Sequence, residues 1–168
     1  MGGCARASRE DLLARKMNIL TDRIGGKTLA VVDDSIVRGD TARMNVRRFR
    51  AAGAREVHLF ITFPRIAGPC FYGIDMSTYK ELIGASLDPE GIAEELGANS
   101  VNYLSVEDYV KATGLRRDEL CLGCVTGEYP TPRAMSLSLE MRARLEDGIK
   151  EGGRIYEQTI GEHQQRVR

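Results

Sequence analysis

Short apolar runs alternate along the chain with segments whose apolar residues recur at helical spacing. That alternation predicts strands separated by helices. Residues 8–24 carry Leu12, Leu13, Met17 and Leu20 at helical intervals, and Gly25-Gly26 ends that helix. TLAVVD, residues 28–33, is an apolar run suited to a strand buried on both faces. TARMNVRRFRAAG (41–53) predicts a helix with Met44, Val46, Phe49 and Ala52 turned inward, closing at Gly53. EVHLFITF (56–63) is the next strand. Strand, loop, helix and strand in that order imply a parallel sheet with a right-handed crossover, an α/β protein.

Residues 64–76, PRIAGPCFYGIDM, hold two prolines and two glycines and read as loop. Residues 77–85 predict a helix capped by Ser77 or Thr78. Asp88 and Pro89 occupy the N-cap and first position of a further helix that ends at Gly97. VNYL (101–104) is a third strand. Ser105 starts a helix that runs to about Thr113, with Asp108 where a capping-box acid belongs. A polar loop leads to CLGCVTGEYPTP. From Ala134 onward Leu and Met recur at loose helical spacing in a polar tail, and the final GEHQQRVR reads as frayed. The chain shows no internal repeat and no low-complexity tract.

With 168 residues there is enough chain for one domain with a core. The residues are 42% hydrophobic and 29% charged, ordinary for a soluble globular protein. Formal net charge is zero, so no bulk field draws the chain to nucleic acid or to an anionic membrane. No apolar run approaches the roughly 20 residues that span a bilayer. MGGCARASREDLL lacks the apolar stretch of a signal peptide. A soluble, cytoplasmic protein with no nucleic-acid or membrane partner is the expectation. Of the cysteines, Cys4, Cys70, Cys121 and Cys124, the last two form a Cys-x-x-Cys pair. In a cytoplasmic chain that pair points to metal binding or redox chemistry before a structural disulfide.

The sharpest chemical signal is VVDDSIVRGDT. Asp33 and Asp34 fall at the C-terminal end of a parallel strand, where open α/β sheets bind ligands. The following loop, Ser35 to Thr41, enters a helix whose free amides and dipole suit an anion. Gly39 lets backbone approach a phosphate, and Ser35 and Thr41 add hydroxyl groups. Acids for sugar hydroxyls or a metal therefore stand beside a phosphate cradle, and a sugar phosphate fits both. The alternative is structural, with Asp33 a satisfied strand end and Asp34 or Ser35 a helix cap. A Walker-type loop is disfavoured because no Lys occurs between residues 28 and 79. A receiver domain fits poorly, since Asp75 lies in a Pro/Gly-rich loop and VNYL is followed by Ser105 rather than Lys. The two histidines, His58 and His163, supply no Ser-His-Asp arrangement, and mid-strand His58 reads as a packing residue.

VVDDSIVRGDT resembles the phosphoribosyl pyrophosphate (PRPP) signature of type I phosphoribosyltransferases. Within that group DDSIVRG is similar to the amidophosphoribosyltransferase family, as are ARKMNIL, AGAREVH, PCFYGIDM and CLGCVTGEYP in the same order. The resemblance spans roughly residues 14 to 132 and implies a partial type I phosphoribosyltransferase fold. Residues 1–27 would be an N-terminal helix and lead-in, 28–132 the C-terminal portion of the transferase domain, and 133–168 a helical polar tail.

That resemblance implies an activity in which ammonia from glutamine displaces pyrophosphate from PRPP, giving phosphoribosylamine for purine synthesis. Asp33 and Asp34 would contact the ribose hydroxyls and the Mg2+ held by PRPP, as the catalytic acids. Ser35, Ile36, Val37, Arg38, Gly39, Asp40 and Thr41 would form the 5′-phosphate loop. Arg38 reads either as a phosphate neighbour or as a solvated charge. Asp40 stands where relatives often have Thr or Asn. A carboxylate beside a phosphate is unfavourable, so Asp40 is expected to point outward and cap the following helix. Gly73, Ile74 and Asp75 would shape a loop near the nucleotide or feedback-inhibitor site. Cys70, Cys121 and Cys124 match ligands of a structural [4Fe–4S] cluster found in one branch of the family. Zinc and free thiols are the other readings. Cys4 does not match the fourth ligand, which lies upstream of anything present here.

The resemblance further implies PRPP and purine nucleotides as ligands and a homo-oligomer in the intact enzyme. Nothing in the chain corresponds to the family's glutaminase domain or to its pyrophosphate-binding and flexible loops. The chain thus reads as a fragment of the enzyme. The other reading is a non-catalytic sugar-phosphate or metal-cluster binding module that needs a partner chain.

Overall fold

Three strands pair in parallel in the order β1-β2-β3: Thr28–Asp33, Glu56–Ile61 and Ser100–Tyr103. The computed structural model describes residues 19–147. A single helical turn, α1 (Thr21–Ile24), precedes β1. Helix α2 (Asp40–Ala51) links β1 to β2. The return from β2 to β3 passes through a long loop, the short α3 (Ile83–Ser86) and α4 (Pro89–Leu96). Beyond β3 come α5 (Val106–Thr113), a 3-10 turn at Arg117–Glu119, α6 (Gly123–Thr126) and α7 (Pro132–Glu146).

Register decides which side chains meet. Val31 lies opposite Leu59, and Leu59 opposite Val101, so one face of the sheet is aliphatic. Val57, Leu59, Ile61 and Val101 are buried on that face under Val46 of α2 and Ile92 and Leu96 of α4. Burying each of these side chains contributes roughly 1.5–3 kcal/mol. A second, smaller core gathers Ile66, Met76 and Leu82, with Val37, Phe63, Cys70 and Cys124 packed against it.

Several expectations change at this level. Of the helix expected over 8–24, only Thr21–Ile24 is helical within the described residues, and 8–18 lie outside them. Cys4 and the expected frayed end likewise lie outside them. Strand β1 is not buried on both faces: its residues alternate between exposed and half-buried, and Val32 is 68% exposed. The cause is topological. Among the described residues β1 pairs only with β2, and Thr28, Ala30 and Val32 share a face that no helix covers. His58 stands on that same face, half-buried, with Nδ1 2.9 Å from Ser100 Oγ and Nε2 3.6 Å from Glu56. It bridges neighbouring strands rather than filling the core.

The helix expected over 77–85 shrinks to Ile83–Ser86, and neither Ser77 nor Thr78 caps it. Both residues instead donate their amides to Glu81 Oε1, at 2.6 and 2.9 Å, closing a side-chain-bound turn. The caps expected at Asp88 and Ser105 form. Asp88 accepts from the Gly91 amide at 2.8 Å. Ser105 accepts from the Asp108 amide at 3.0 Å and donates to the Asp108 carboxylate at 2.7 Å. Thr131 accepts from the Ala134 amide and starts α7, so the polar tail begins as a 15-residue helix.

Candidate phosphate loop and cysteine site

The carboxyl end of β1 delivers Asp33 and Asp34 to the rim of the sheet. Asp33 is anchored by its carbonyl, which accepts from the Thr62 amide at 3.0 Å. Its Oδ1 accepts from the Asp34 amide at 2.9 Å, and Asp34 Oδ1 accepts from the Ser35 amide at 2.6 Å. Ser35 Oγ donates to Asp34 Oδ1 at 3.3 Å. Each acid thus uses one oxygen to stiffen the chain just after it. Two carboxylates side by side at an exposed rim are a hard-oxygen donor set of the kind magnesium takes.

The loop then divides its side chains by direction. Ile36 enters the main core at 4% exposure, and Val37 joins the second core. Their contribution to any ligand is backbone alone. The Val37 carbonyl accepts from the Ile83 amide at 3.0 Å, which seats the loop on α3. Arg38, its side chain 40% exposed, turns toward the loop carrying Glu81. Its guanidinium donates to Glu81 Oε2, from Nε at 2.9 Å, and to the Asp75 carbonyl at 2.9 Å.

Gly39 is the N-cap of α2 and has φ of 84°, a left-handed conformation that a side chain resists. A Cβ there would come within 3.1 Å of both Ile83 Cδ1 and Leu96 Cδ2. A Cβ would therefore have to push both side-chain tips aside, on top of adopting the left-handed conformation. The first bond of α2 runs from the Arg43 amide to the Gly39 carbonyl at 2.8 Å. The amides of Asp40, Thr41 and Ala42 precede that bond, so they are the free donors of the helix start. Asp40 does point outward, its side chain 74% exposed and 3.2 Å from Arg43. It does not cap α2; Gly39 occupies that position.

Glu81 is the functional candidate that sequence reasoning missed. Burial opposes its charge, but the Thr78 amide, Arg38 and the Ser77 amide outweigh that and hold its carboxyl below the ordinary range. The spacing Thr78-x-x-Glu81 was the available signal, since it is the pattern in which an acid reaches back to an amide three residues earlier.

The cysteines form the second assembly. Cys70 and Cys124 are partly buried in the second core and Cys121 is exposed. Burial, with Cys70 and Cys121 nearby, pushes the Cys124 thiol up to about 11. Helix α6 is pinned by the Cys124 carbonyl, which accepts from the Ala67 and Gly68 amides at 2.9 and 2.8 Å. The Tyr129 hydroxyl donates to the Pro69 carbonyl at 2.7 Å, closing the same corner. Among the described residues no group of three His, Cys, Asp or Glu side chains is already arranged to enclose a metal. Cys70 and Cys121 lie near enough to Cys124 to act on its thiol, and soft thiolate donors are what iron–sulfur clusters and zinc select.

No family model matches the chain. It is 50% identical over 123 residues to the amidophosphoribosyltransferase of Methanocaldococcus jannaschii, covering 73% of this chain and 26% of that protein. The Bacillus subtilis amidophosphoribosyltransferase is 47% identical over 131 residues, with 76% of this chain and 28% of that protein covered. A solved B. subtilis glutamine PRPP amidotransferase, complexed with ADP and GMP, superposes with a TM-score of 0.63 at 44% identity. The superposition covers 75% of this chain and 29% of that one. This chain matches a C-terminal part of the amidophosphoribosyltransferases.

A second solved structure, described as the allosteric regulatory enzyme of purine biosynthesis, agrees at TM-score 0.63 and 42% identity, covering 78% of this chain and 30% of that one. The chain thus spans about a quarter of the length of the curated amidophosphoribosyltransferases it matches. The parallel sheet with flanking helices is the part of the phosphoribosyltransferase-type fold that it shares with the two solved enzymes. Among the described residues no helix is long and apolar enough to cross a membrane.

Proposed function

We propose that this chain carries the PRPP-holding part of an amidophosphoribosyltransferase, the enzyme in which ammonia displaces pyrophosphate from PRPP to give phosphoribosylamine. The observation that carries the proposal is the strand end itself. Asp33 and Asp34 leave β1 at the sheet rim, and the backbone then turns at Gly39 into the free amides of α2. Relatives with 44–50% identity bear the amidophosphoribosyltransferase name.

In this reading the amides of Asp40, Thr41 and Ala42 bind the 5′-phosphate, favoured by the positive end of the α2 dipole. Asp33 and Asp34 orient the ribose hydroxyls. They also stabilise the positive charge that develops on the sugar as its bond to pyrophosphate lengthens. Magnesium held by these acids would neutralise the departing pyrophosphate. Ammonia is a sufficient nucleophile, so no activating triad is required. Cys70, Cys121 and Cys124 would supply three thiolates to a structural [4Fe–4S] cluster, with the fourth ligand coming from elsewhere in the intact protein. Purine nucleotides, the glutaminase region and further copies of the chain are its proposed partners.

A second reading is favoured by the coverage of about a quarter of each relative. In it the chain is a non-catalytic sugar-phosphate or metal-cluster binding module completed by a partner chain. Calorimetry with PRPP and magnesium, together with an ammonia-dependent pyrophosphate-release assay, separates the two. Binding with release supports the enzyme, and binding without release supports the module. Equal heats for the wild type and for Asp33→Asn/Asp34→Asn would refute both.

A further inference from the structure

We propose that Arg38 and Glu81 are a positioning pair that fixes the phosphate loop by clasping it to the loop carrying residues 75–81. The inference rests on the PRPP reading above but assigns a role to two residues that need not touch the ligand. Three observations converge on it. The guanidinium of Arg38 reaches across to Glu81 Oε2 and to the Asp75 carbonyl, so both Nε and Nη2 are committed to the opposite loop. Glu81 divides its oxygens: Oε2 takes Arg38, while Oε1 takes the Ser77 and Thr78 amides and the Thr78 hydroxyl. The Ile83 amide donates to the Val37 carbonyl one residue from Arg38, so the clasp has a backbone partner beside it.

The arrangement has a mechanical logic. Residues 34–41 make few bonds of their own. Their position is set at one end by Asp33 on β1 and at the other by α2. Between those ends the loop is held by buried Ile36, by the Val37 carbonyl and by Arg38. Removing the charge at residue 81 leaves an acceptor for the Ser77 and Thr78 amides but weakens the fork that Arg38 makes. The loop then samples more conformations. A phosphate that needs several amides aimed at once binds less well, because it must restore their alignment.

The test uses the full 168-residue chain. PRPP with magnesium is titrated calorimetrically into the wild type, Glu81→Gln, Arg38→Ala and the double variant. Amide hydrogen exchange is measured on all four without ligand. Each single variant is expected to bind PRPP on the order of tenfold more weakly. The double variant should be no weaker than the worse single one, since both remove the same clasp. Exchange should quicken at the Ile83 amide, which donates to the Val37 carbonyl, and stay unchanged in β2. Tighter or unaltered binding by Glu81→Gln, with weaker binding by Arg38→Ala, would show instead that Arg38 grips phosphate directly, and would overturn the proposal. Wild-type affinity in both single variants would overturn it too. Should the wild type bind no PRPP, the proposed function fails while exchange still decides the clasp. Unaltered exchange at Ile83 refutes the clasp, and quickening localised there upholds it.

Discussion

At Gly39 one missing side chain serves both backbone and packing. The φ of 84° favours glycine, and the space a Cβ would need is occupied by Ile83 and Leu96. Gly39→Ala is expected to lose about 2 kcal/mol of stability, from the left-handed conformation and the crowding together. Urea unfolding followed by circular dichroism measures it, and PRPP affinity should fall in parallel. Glu81 gives a pH signature. Its carboxyl is held below the ordinary value of 4.5 in the folded state, so the folded protein binds its proton more weakly than the unfolded chain does. The stability it contributes is therefore complete above 4.5 and disappears as pH falls through the lowered folded value. Melting temperatures of wild type and Glu81→Gln should differ above 4.5 and converge in stronger acid. The thiols offer a third check. In the metal-free chain, alkylation mapped by mass spectrometry should reach exposed Cys121 before Cys124, whose partly buried thiol is pushed up to about 11.

Among the elements, the short helices depend on their ends more than on their length. Helix α5 has eight residues and no fully buried side chain, so the Ser105–Asp108 reciprocal bonds carry much of its definition. Ser105→Ala should cost about 1 kcal/mol in chemical denaturation, and local exchange in α5 should rise before global unfolding. These caps were legible in the sequence because they are local. Asp88-Pro89 and Ser105-x-x-Asp108 state their own geometry within four residues. The turn at 77–81 was not legible, because Glu81 is drawn to Arg38, 43 residues away in sequence. A local reading favoured a longer helix there, and a distant cation together with two amides won. Strand β1 misled for a related reason. An apolar run reports that a strand is fit for burial, but neighbours contributed by other segments decide whether burial occurs.

For the whole molecule, the same contrast separates what was readable at the site from what was not. Asp33, Asp34 and Gly39 were identifiable because strand end, turn and helix start follow one another without interruption. The directions of Ile36, Val37 and Arg38 were not, since they depend on two cores and a facing loop. The sheet face left bare among the described residues is also a property of the whole. Val32 and Phe60 are 68% and 44% exposed, lie directly opposite each other and adjoin a strand edge that is unpaired among the described residues. Replacing both with Thr should lower concentration-dependent association, read by light scattering, while leaving the melting temperature nearly unchanged.

The strand order 1-2-3 has one last consequence. Successive crossovers of the same hand, stepping always in one direction, set every connecting helix on the same side of a sheet. Lengthening α2 or α4 could never upholster the other side, because their path is dictated by the direction of the winding. Shelter for Val32 and Phe60 has to arrive from polypeptide that reverses that direction, lying beyond residues 28–103. Among the described residues, the bare side of the sheet is thus written into the chirality of the winding, and not into any single residue that mutation could repair.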